Sequence, residues 1–264
     1  MSTAPPPGSA STDHSEWQAL ACAITFLTRI PVPLATHSDA LLARSVMYFP
    51  VVGLLVGAIG AAAYYLATAL WPPLIAVLLA LSAMLLATGG FHEDGLADTA
   101  DGLGGGWRVK DKLRIMKDSR LGSYGALALV MALLLKVATL SALAGVSANA
   151  VPVALVLGQV LGRWAALPLI RLTPYVGGEA GSGRPLVPGV ANGRLAAASA
   201  FALACVLCLQ GQALTALLVT LAAVIALWRR HCLRQLGGLT GDTLGAGNQL
   251  AELAVYLVLL ALAT

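Results

Sequence analysis

Three aspartates, Asp94, Asp98 and Asp101, stand at i, i+4 and i+7 in the densest polar stretch of the chain, Gly89-Gly90-Phe91-His92-Glu93-Asp94-Gly95-Leu96-Ala97-Asp98-Thr99-Ala100-Asp101-Gly102. On a helix these positions share an arc of ~60°. Carboxylates on one stripe repel one another unless a cation neutralises them. An oxygen-only set without cysteine favours Mg2+ or Mn2+ over zinc. The competing reading is a solvated acidic helix end. Glycines bracket these acids and few other polar residues accompany them, which speaks for a metal site. Glu93 points off the stripe as a further ligand or a base. His92 either contacts substrate or hydrogen-bonds a helix end at the interface.

Basic residues follow. After Gly104-Gly105-Gly106-Trp107, Val109, Leu113 and Met116 form one face of a short helix, and Lys110, Arg114 and Lys117 form the next. Such a helix lies in the membrane surface, its basic side open to phosphate or to anionic headgroups. Lys117-Asp118-Ser119-Arg120-Leu121-Gly122-Ser123-Tyr124-Gly125 then leads into an apolar run. A helix start offers unpaired N–H groups and a positive dipole end for phosphate. A guanidinium at Arg120 adds a two-pronged clamp, and Asp118 is within reach of a metal. An ordinary capped helix with flanking charges would read the same way. The last polar stretch, 237–249, reads as a glycine-rich loop carrying Asp242 and Asn248, with Glu252 inside the apolar run that follows. An acid inside a membrane helix costs roughly 2.5 kcal/mol or more, which favours a function for it, although glycines also serve plain helix packing. Lys136 and Arg163 lie within apolar runs, and each either snorkels to an interface or meets a buried anion.

The elements that must position these groups are membrane helices. Of the 264 residues 58% are hydrophobic and only 11% charged. Soluble domains carry about 25% charge, so this inventory cannot build a water-facing surface. Apolar runs near the ~20 residues needed to cross a bilayer occur at about 47–70, 73–90, 121–145, 151–171, 195–209, 212–228 and 249–264. Trp17, Leu20, Ile24 and Leu27 form a shorter, interfacial helix. Residues 1–16, rich in Pro, Ser, Ala and Thr, read as a disordered tail, and 17–264 as one transmembrane catalytic domain. Trp71-Pro72-Pro73, residues 146–150 and Gln210-Gly211-Gln212 carry no charge. The alternate connections hold Arg29 and Arg44, the basic run from Arg108 to Arg120, then Arg171, Arg184, Arg194, Arg229, Arg230 and Arg234. By the positive-inside rule the N-terminus and the acidic groups face the cytoplasm. The net charge of +4 belongs to these loops and excludes a nucleic-acid-binding stripe. Cys22, Cys205, Cys208 and Cys232 read as small apolar residues, the Cys205–Cys208 spacing having no ligand partner nearby. The fold class is all-α, a polytopic bundle of about seven transmembrane helices plus interfacial helices in a lipid bilayer.

The segments 92–102, 117–125 and 240–252, in this order and spacing, resemble the cobalamin synthase family, the adenosylcobinamide-GDP ribazoletransferases. Phe26-Leu27-Thr28-Arg29-Ile30-Pro31-Val32-Pro33 and Tyr48-Phe49-Pro50-Val51-Val52-Gly53 match as well. The resemblance implies an Mg2+-dependent enzyme of the bacterial inner membrane. In it the ribose 3′-hydroxyl of α-ribazole, or of its 5′-phosphate, attacks adenosylcobinamide-GDP. GMP leaves, and adenosylcobalamin or its 5′-phosphate is formed. It implies catalytic roles for Asp94, Asp98, Asp101, Glu93 and Asp118, and metal ligation by Asp94, Asp98, Asp101, Asp242 and Glu252. Substrate contacts would come from Arg29, His92, Lys117, Ser119, Arg120, Tyr124, Asp242 and Asn248. Conceivable partners are a second copy of the chain or other cobalamin-assembly enzymes. A CDP-alcohol phosphotransferase also uses an Asp-rich helix, but its Ala-Arg pair soon after the first Asp-Gly is missing here. A divalent-cation transporter would hold its acids near the bilayer midplane.

Overall fold

A computed structural model of the chain describes residues 15–35, 38–178 and 190–264. Most of the expected tail and Arg184 lie outside the described residues. Among the described residues there are helices and one isolated bridge, Tyr175 to Leu239, and no strand. Helix α1 (Glu16–Leu27) is capped by Ser15, and α2 (Asp39–Ser45) leads through a tight turn into α3 (Phe49–Thr68). There follow α4 (Pro73–Thr88), α5 (Phe91–Gly105), α6 (Val109–Ile115), α7 (Ser123–Ala144) and α8 (Ala150–Leu172). The chain closes with α9 (Asn192–Gln210), α10 (Leu214–Leu236) and α11 (Gly241–Ala263).

Five helical runs are long and apolar enough to cross a membrane, six if the bent pair α4–α5 counts as one crossing. One of the five is the 45-residue run Asn192–Leu236. Straight, it would reach about 67 Å at 1.5 Å per residue, twice a bilayer core. It folds back instead. Asn192 at its start accepts a hydrogen bond from Arg171 (3.1 Å), and Arg229 near its end donates to the Leu172 carbonyl (3.0 Å). Both ends therefore meet the C-terminal end of α8, and α9 and α10 are two legs joined at Gly211–Ala213. With α4 counted as a leg and the 45-residue run as two, the described residues contain seven apolar legs. The protein is an all-α, multi-pass membrane protein.

Helix α8 sits in the centre and is held against α3 by backbone contact. A Cβ on Gly57 would come within 2.6 Å of the Val156 Cα, and one on Gly53 within 2.8 Å of the Val160 Cα. Small residues four apart let two membrane helices touch along their backbones, where dispersion rather than hydrophobicity supplies the attraction. Gly57→Leu is expected to lower the folded yield of detergent-solubilised protein severalfold, whereas Leu→Ala at the exposed Leu66 leaves it unchanged. Size-exclusion profiles of the two variants measure this.

Polar pairs separate to the two ends. Glu16 binds Arg44 (2.9 Å) and Arg194 (3.0 Å) at the charged end. At the other end the Tyr65 hydroxyl donates to Asn149 (2.7 Å), joining the end of α3 to the start of α8 without a charge. The four cysteines are free.

Candidate active site

Gly89 and Gly90 both take left-handed backbone angles (φ 69° each) between α4 and α5, and they turn the chain by 87°. Two successive residues of this kind favour glycine, since a Cβ there meets the following carbonyl oxygen. The bend ends the α4 leg and turns α5 along α7 and α11 towards their starts, Glu93 standing beside Lys136 in mid-α7 and Asp101 beside Gly122 at its beginning. Arg29 is laid over the bend. Its amide donates to the Ala87 carbonyl (2.7 Å), and a Cβ on Gly89 would stand 3.2 Å from its Cδ.

A second glycine contact brings α5 to α11. A Cβ on Gly95 would stand 2.9 Å from the Asp242 carbonyl oxygen and 3.2 Å from its Cα; one on Gly245 would stand 3.4 Å from the Gly95 Cα. Asp242, in the first turn of α11, is thereby set beside the aspartate stripe. This corrects the loop expected over 237–249, since α11 already begins at Gly241. The cause is a reciprocal cap in which Thr240 and Thr243 each bind the other's backbone (3.2 and 2.8 Å).

In front of the stripe opens a cleft of about 700 Å³ whose walls include Phe26, Arg29, Phe91, Asp94, Asp98 and Ser119. Phe26 and Phe91 meet edge to face with centroids 5.4 Å apart. Burial, with Asp94, Asp242 and Asp101 nearby, pushes the Asp98 carboxyl up to about 7. Among the described residues no three His, Cys, Asp or Glu side chains are already drawn together closely enough to hold a metal ion. The donor set still suits a hard divalent cation: the crowding at Asp98 is the repulsion such an ion relieves, through oxygen ligands alone.

The other expected site residues fall elsewhere. Asp101 is buried, and its two oxygens accept from the amides of Gly122 (2.7 Å) and Gly125 (2.8 Å). It caps α7, so these N–H groups at the α7 start, expected to be free for phosphate, are taken. Asp118 and Arg120 bind each other at the surface (2.6 Å), with the Arg120 side chain 87% exposed. That fork holds the Asp118 carboxyl down at about 2. Neither reaches the cleft walls, though Ser119 between them does. Lys117 is exposed and acts on Asp242 electrostatically. Tyr124 is exposed, its ring over Gly104. On α6, Lys112 is buried and donates to Gln235, while Lys110 and Arg114 remain exposed.

Glu252 lies apart from the stripe. Its carboxylate binds the Lys136 ammonium (2.9 Å) and accepts from the Tyr256 hydroxyl (2.8 Å) and Gln249 (3.2 Å). Lys136 also donates to Gln249 (2.7 Å) and stands 3.7 Å from Glu93, which faces inward. The carboxylate expected at a metal centre is thus held by a lysine that apolar surroundings leave no better partner. His92 and Asn248 are buried behind the cleft. Sequence reasoning passed over Phe26, Phe91, Thr25 and Thr28 as cleft walls. The signal was present in the Phe26-Leu27-Thr28-Arg29 run, two aromatic and hydroxyl positions ahead of an arginine.

An acidic cleft at the charged end of a multi-pass helical bundle defines a membrane enzyme of the group-transfer kind. The family model described as CobS, cobalamin-5-phosphate synthase, matches residues 19–260. The chain belongs to this family and is a transferase of cobalamin biosynthesis. Among its curated relatives, the adenosylcobinamide-GDP ribazoletransferase of Shewanella amazonensis is 47% identical over 255 residues, covering 96% of this chain and 98% of the relative. Those of Shewanella pealeana (49%, covering 91% and 93%) and Vibrio cholerae (44%, covering 90% and 92%) bear the same name. No solved structure matches.

Proposed function

We propose that the protein joins adenosylcobinamide-GDP to α-ribazole, or to α-ribazole 5′-phosphate, with release of GMP, and that the reaction runs in the Asp94/Asp98 cleft with Mg2+. The observation that carries the site is the convergence of Asp94 and Asp98 from α5 and Arg29 from the α1–α2 connection around one open cavity, with Asp242 from α11 close enough to raise the Asp98 carboxyl. Phosphoryl transfer needs alignment and charge neutralisation more than covalent help. Asp94, Asp98 and Asp242 would hold the cation, and Mg2+ when bound neutralises charge on the diphosphate oxygens. Arg29, which lines the same cavity, would bind the diphosphate, and the Phe26–Phe91 edge adds an apolar portion of wall. Asp101 holds the start of α7, and with it Ser119, in register with the stripe.

The test uses purified protein in liposomes with Mg2+ and adenosylcobinamide-GDP, α-ribazole and its 5′-phosphate being supplied in parallel and GMP release followed. The faster acceptor identifies the preferred ribazole form. Absence of GMP with both would overturn the reading.

Because Arg29 lines the cleft and Arg120 is paired outside it, Arg29→Lys is expected to lose about 10-fold or more in rate over GDP-substrate concentration, and Arg120→Lys less than twofold. Equal losses would contradict the assignment of the diphosphate to Arg29.

The orientation we infer is N-terminus and cleft cytoplasmic, in the inner membrane, on the strength of the basic connections. Cysteine at the exposed Ser147 should label in intact cells and cysteine at Ser119 only after lysis. The reverse pattern would turn the protein over.

A further inference from the structure

The legs α9 and α10 lean on different neighbours. Helix α9 packs on α8, α10 packs chiefly on α11, and the two legs barely touch each other. A crevice of about 190 Å³ lies where they part, lined by Leu161 and Trp164 of α8, Leu203 and Val206 of α9, and Leu217 and Leu218 of α10. The only polar side chains on its walls, Trp164 and Ser199, are bonded to each other (3.0 Å). Leu203 and Leu218 are 41% and 52% exposed, so the crevice is open to the medium around these legs, which is hydrocarbon. At ~30 Å³ for a water-sized group there is room for roughly six, but such walls give water no partner.

Each of the three helices continues the crevice face to the charged end of the bundle. Trp164 and Arg171 stand at i and i+7 on α8, Asn192 and Ser199 at i and i+7 on α9, and Leu218 and Arg229 at i and i+11 on α10. At 3.6 residues per turn each pair shares a face to within ~20°, with ~10–17 Å between its members. The far members meet, for Arg171 donates to Asn192 and Arg229 to the Leu172 carbonyl at the end of α8. Arg229 uses only its Nε in this, which leaves both Nη groups without a partner among the described residues. Nor does any described carboxylate pair with Arg171, Arg229, Arg230 or Arg234.

A ligand that suits both parts offers methylene groups at one end and an anionic head at the other. A nucleoside or a corrinoid would carry polar groups into the crevice that nothing there answers. We propose that α8, α9 and α10 hold one anionic phospholipid from the leaflet at the charged end, an acyl chain in the crevice and the phosphate against Arg229 and Arg171. The lipid fills the gap between two legs that do not pack on each other, and it is independent of the reaction assigned to the cleft.

Thermal unfolding of the purified full chain, delipidated in a nonionic detergent, provides the test. Phosphatidylglycerol or phosphatidylcholine with the same acyl chains is added in steps. Phosphatidylglycerol is expected to raise the midpoint saturably, by about 3–5 °C, and phosphatidylcholine by less than half as much. Glycerol 3-phosphate and diacylglycerol, each half of the ligand, should give no such rise. Arg229→Gln should reduce the effect of phosphatidylglycerol to that of phosphatidylcholine. Leu218→Trp, which puts a ring into the crevice, should remove the increment without lowering the lipid-free midpoint. Lys110→Gln, at another exposed basic side chain, should keep it. Should Arg229→Gln not fold, Leu218→Trp decides. Equal increments from the two lipids in the wild type, an increment that survives Leu218→Trp, or a loss in Lys110→Gln as large as in Arg229→Gln would overturn the proposal. So would a lipid-free midpoint that climbs with protein concentration, which would give the crevice to a second copy of the chain.

Discussion

Asp98→Asn abolishes turnover of adenosylcobinamide-GDP, by about 10²–10³-fold or more, while the protein inserts and folds as the wild type does; this is the expected result for the most crowded carboxylate of the cleft. The amide keeps the size of the side chain and removes the charge. Removing one group that stabilises charge at a transition state commonly costs that much. Asp94→Asn, facing the same cavity, should behave alike. Asp101→Asn should differ in kind. Its carboxylate caps α7 rather than lining the cleft, so the variant is expected to lose roughly 1 kcal/mol of stability and to retain part of its rate. Initial rates across Mg2+ concentrations, with a thermal scan of each variant, separate the two behaviours. Wild-type rates for both Asp94→Asn and Asp98→Asn at limiting Mg2+ would remove the stripe from the metal site.

The second large effect lies inside the bundle. Lys136→Met strands Glu252 at 1% exposure and Glu93 beside it, and is expected to destabilise the protein by about 3–5 kcal/mol. Lys136→Met combined with Glu252→Leu should recover much of that loss, because a neutral pair no longer needs a counter-charge. The measurement is a double-mutant cycle on unfolding in detergent. Simple addition of the two single losses would mean that the ion pair is not what ties α7 to α11.

The apolar legs were legible in the sequence because a bilayer imposes length and hydropathy on each segment separately. The uncharged Gln210-Gly211-Gln212 turn marked the fold-back of α9 on α10, and the spacing of Asp94, Asp98 and Asp101 marked their helix. What escaped was pairing at long range. Nothing near Asp101 announces the amides of Gly122 and Gly125, and nothing near Glu252 announces Lys136, more than a hundred residues earlier. The helix start at 122–125 and the guanidinium fork suggest a phosphate clamp at Arg120, but Asp118, two residues away at the surface, satisfies the fork first. The glycines of 237–247 looked like a loop by composition alone. Glycine is a poor helix former, but here its missing side chain is what allows α11 to reach α5. The sequence allows Arg163 either an interface or a buried anion, and at 1% exposure it lies in the interior.

The contact of Gly95 with Asp242 and Gly245 has a consequence for how finely the acids are positioned. Most active-site groups on different helices are spaced through interlocking side chains, so every rotamer along the way adds its own scatter to the final separation. Here α5 and α11 meet main chain to main chain, with no rotatable bond between them. The chain of tolerances is short. Beyond the two backbones, the only freedom left between Asp98 and Asp242 is in the torsions of the aspartates themselves, the shortest of the acidic side chains. Glutamates at the same places would add a further rotor on each side, and the separation of the two carboxylates would be correspondingly less sharply defined.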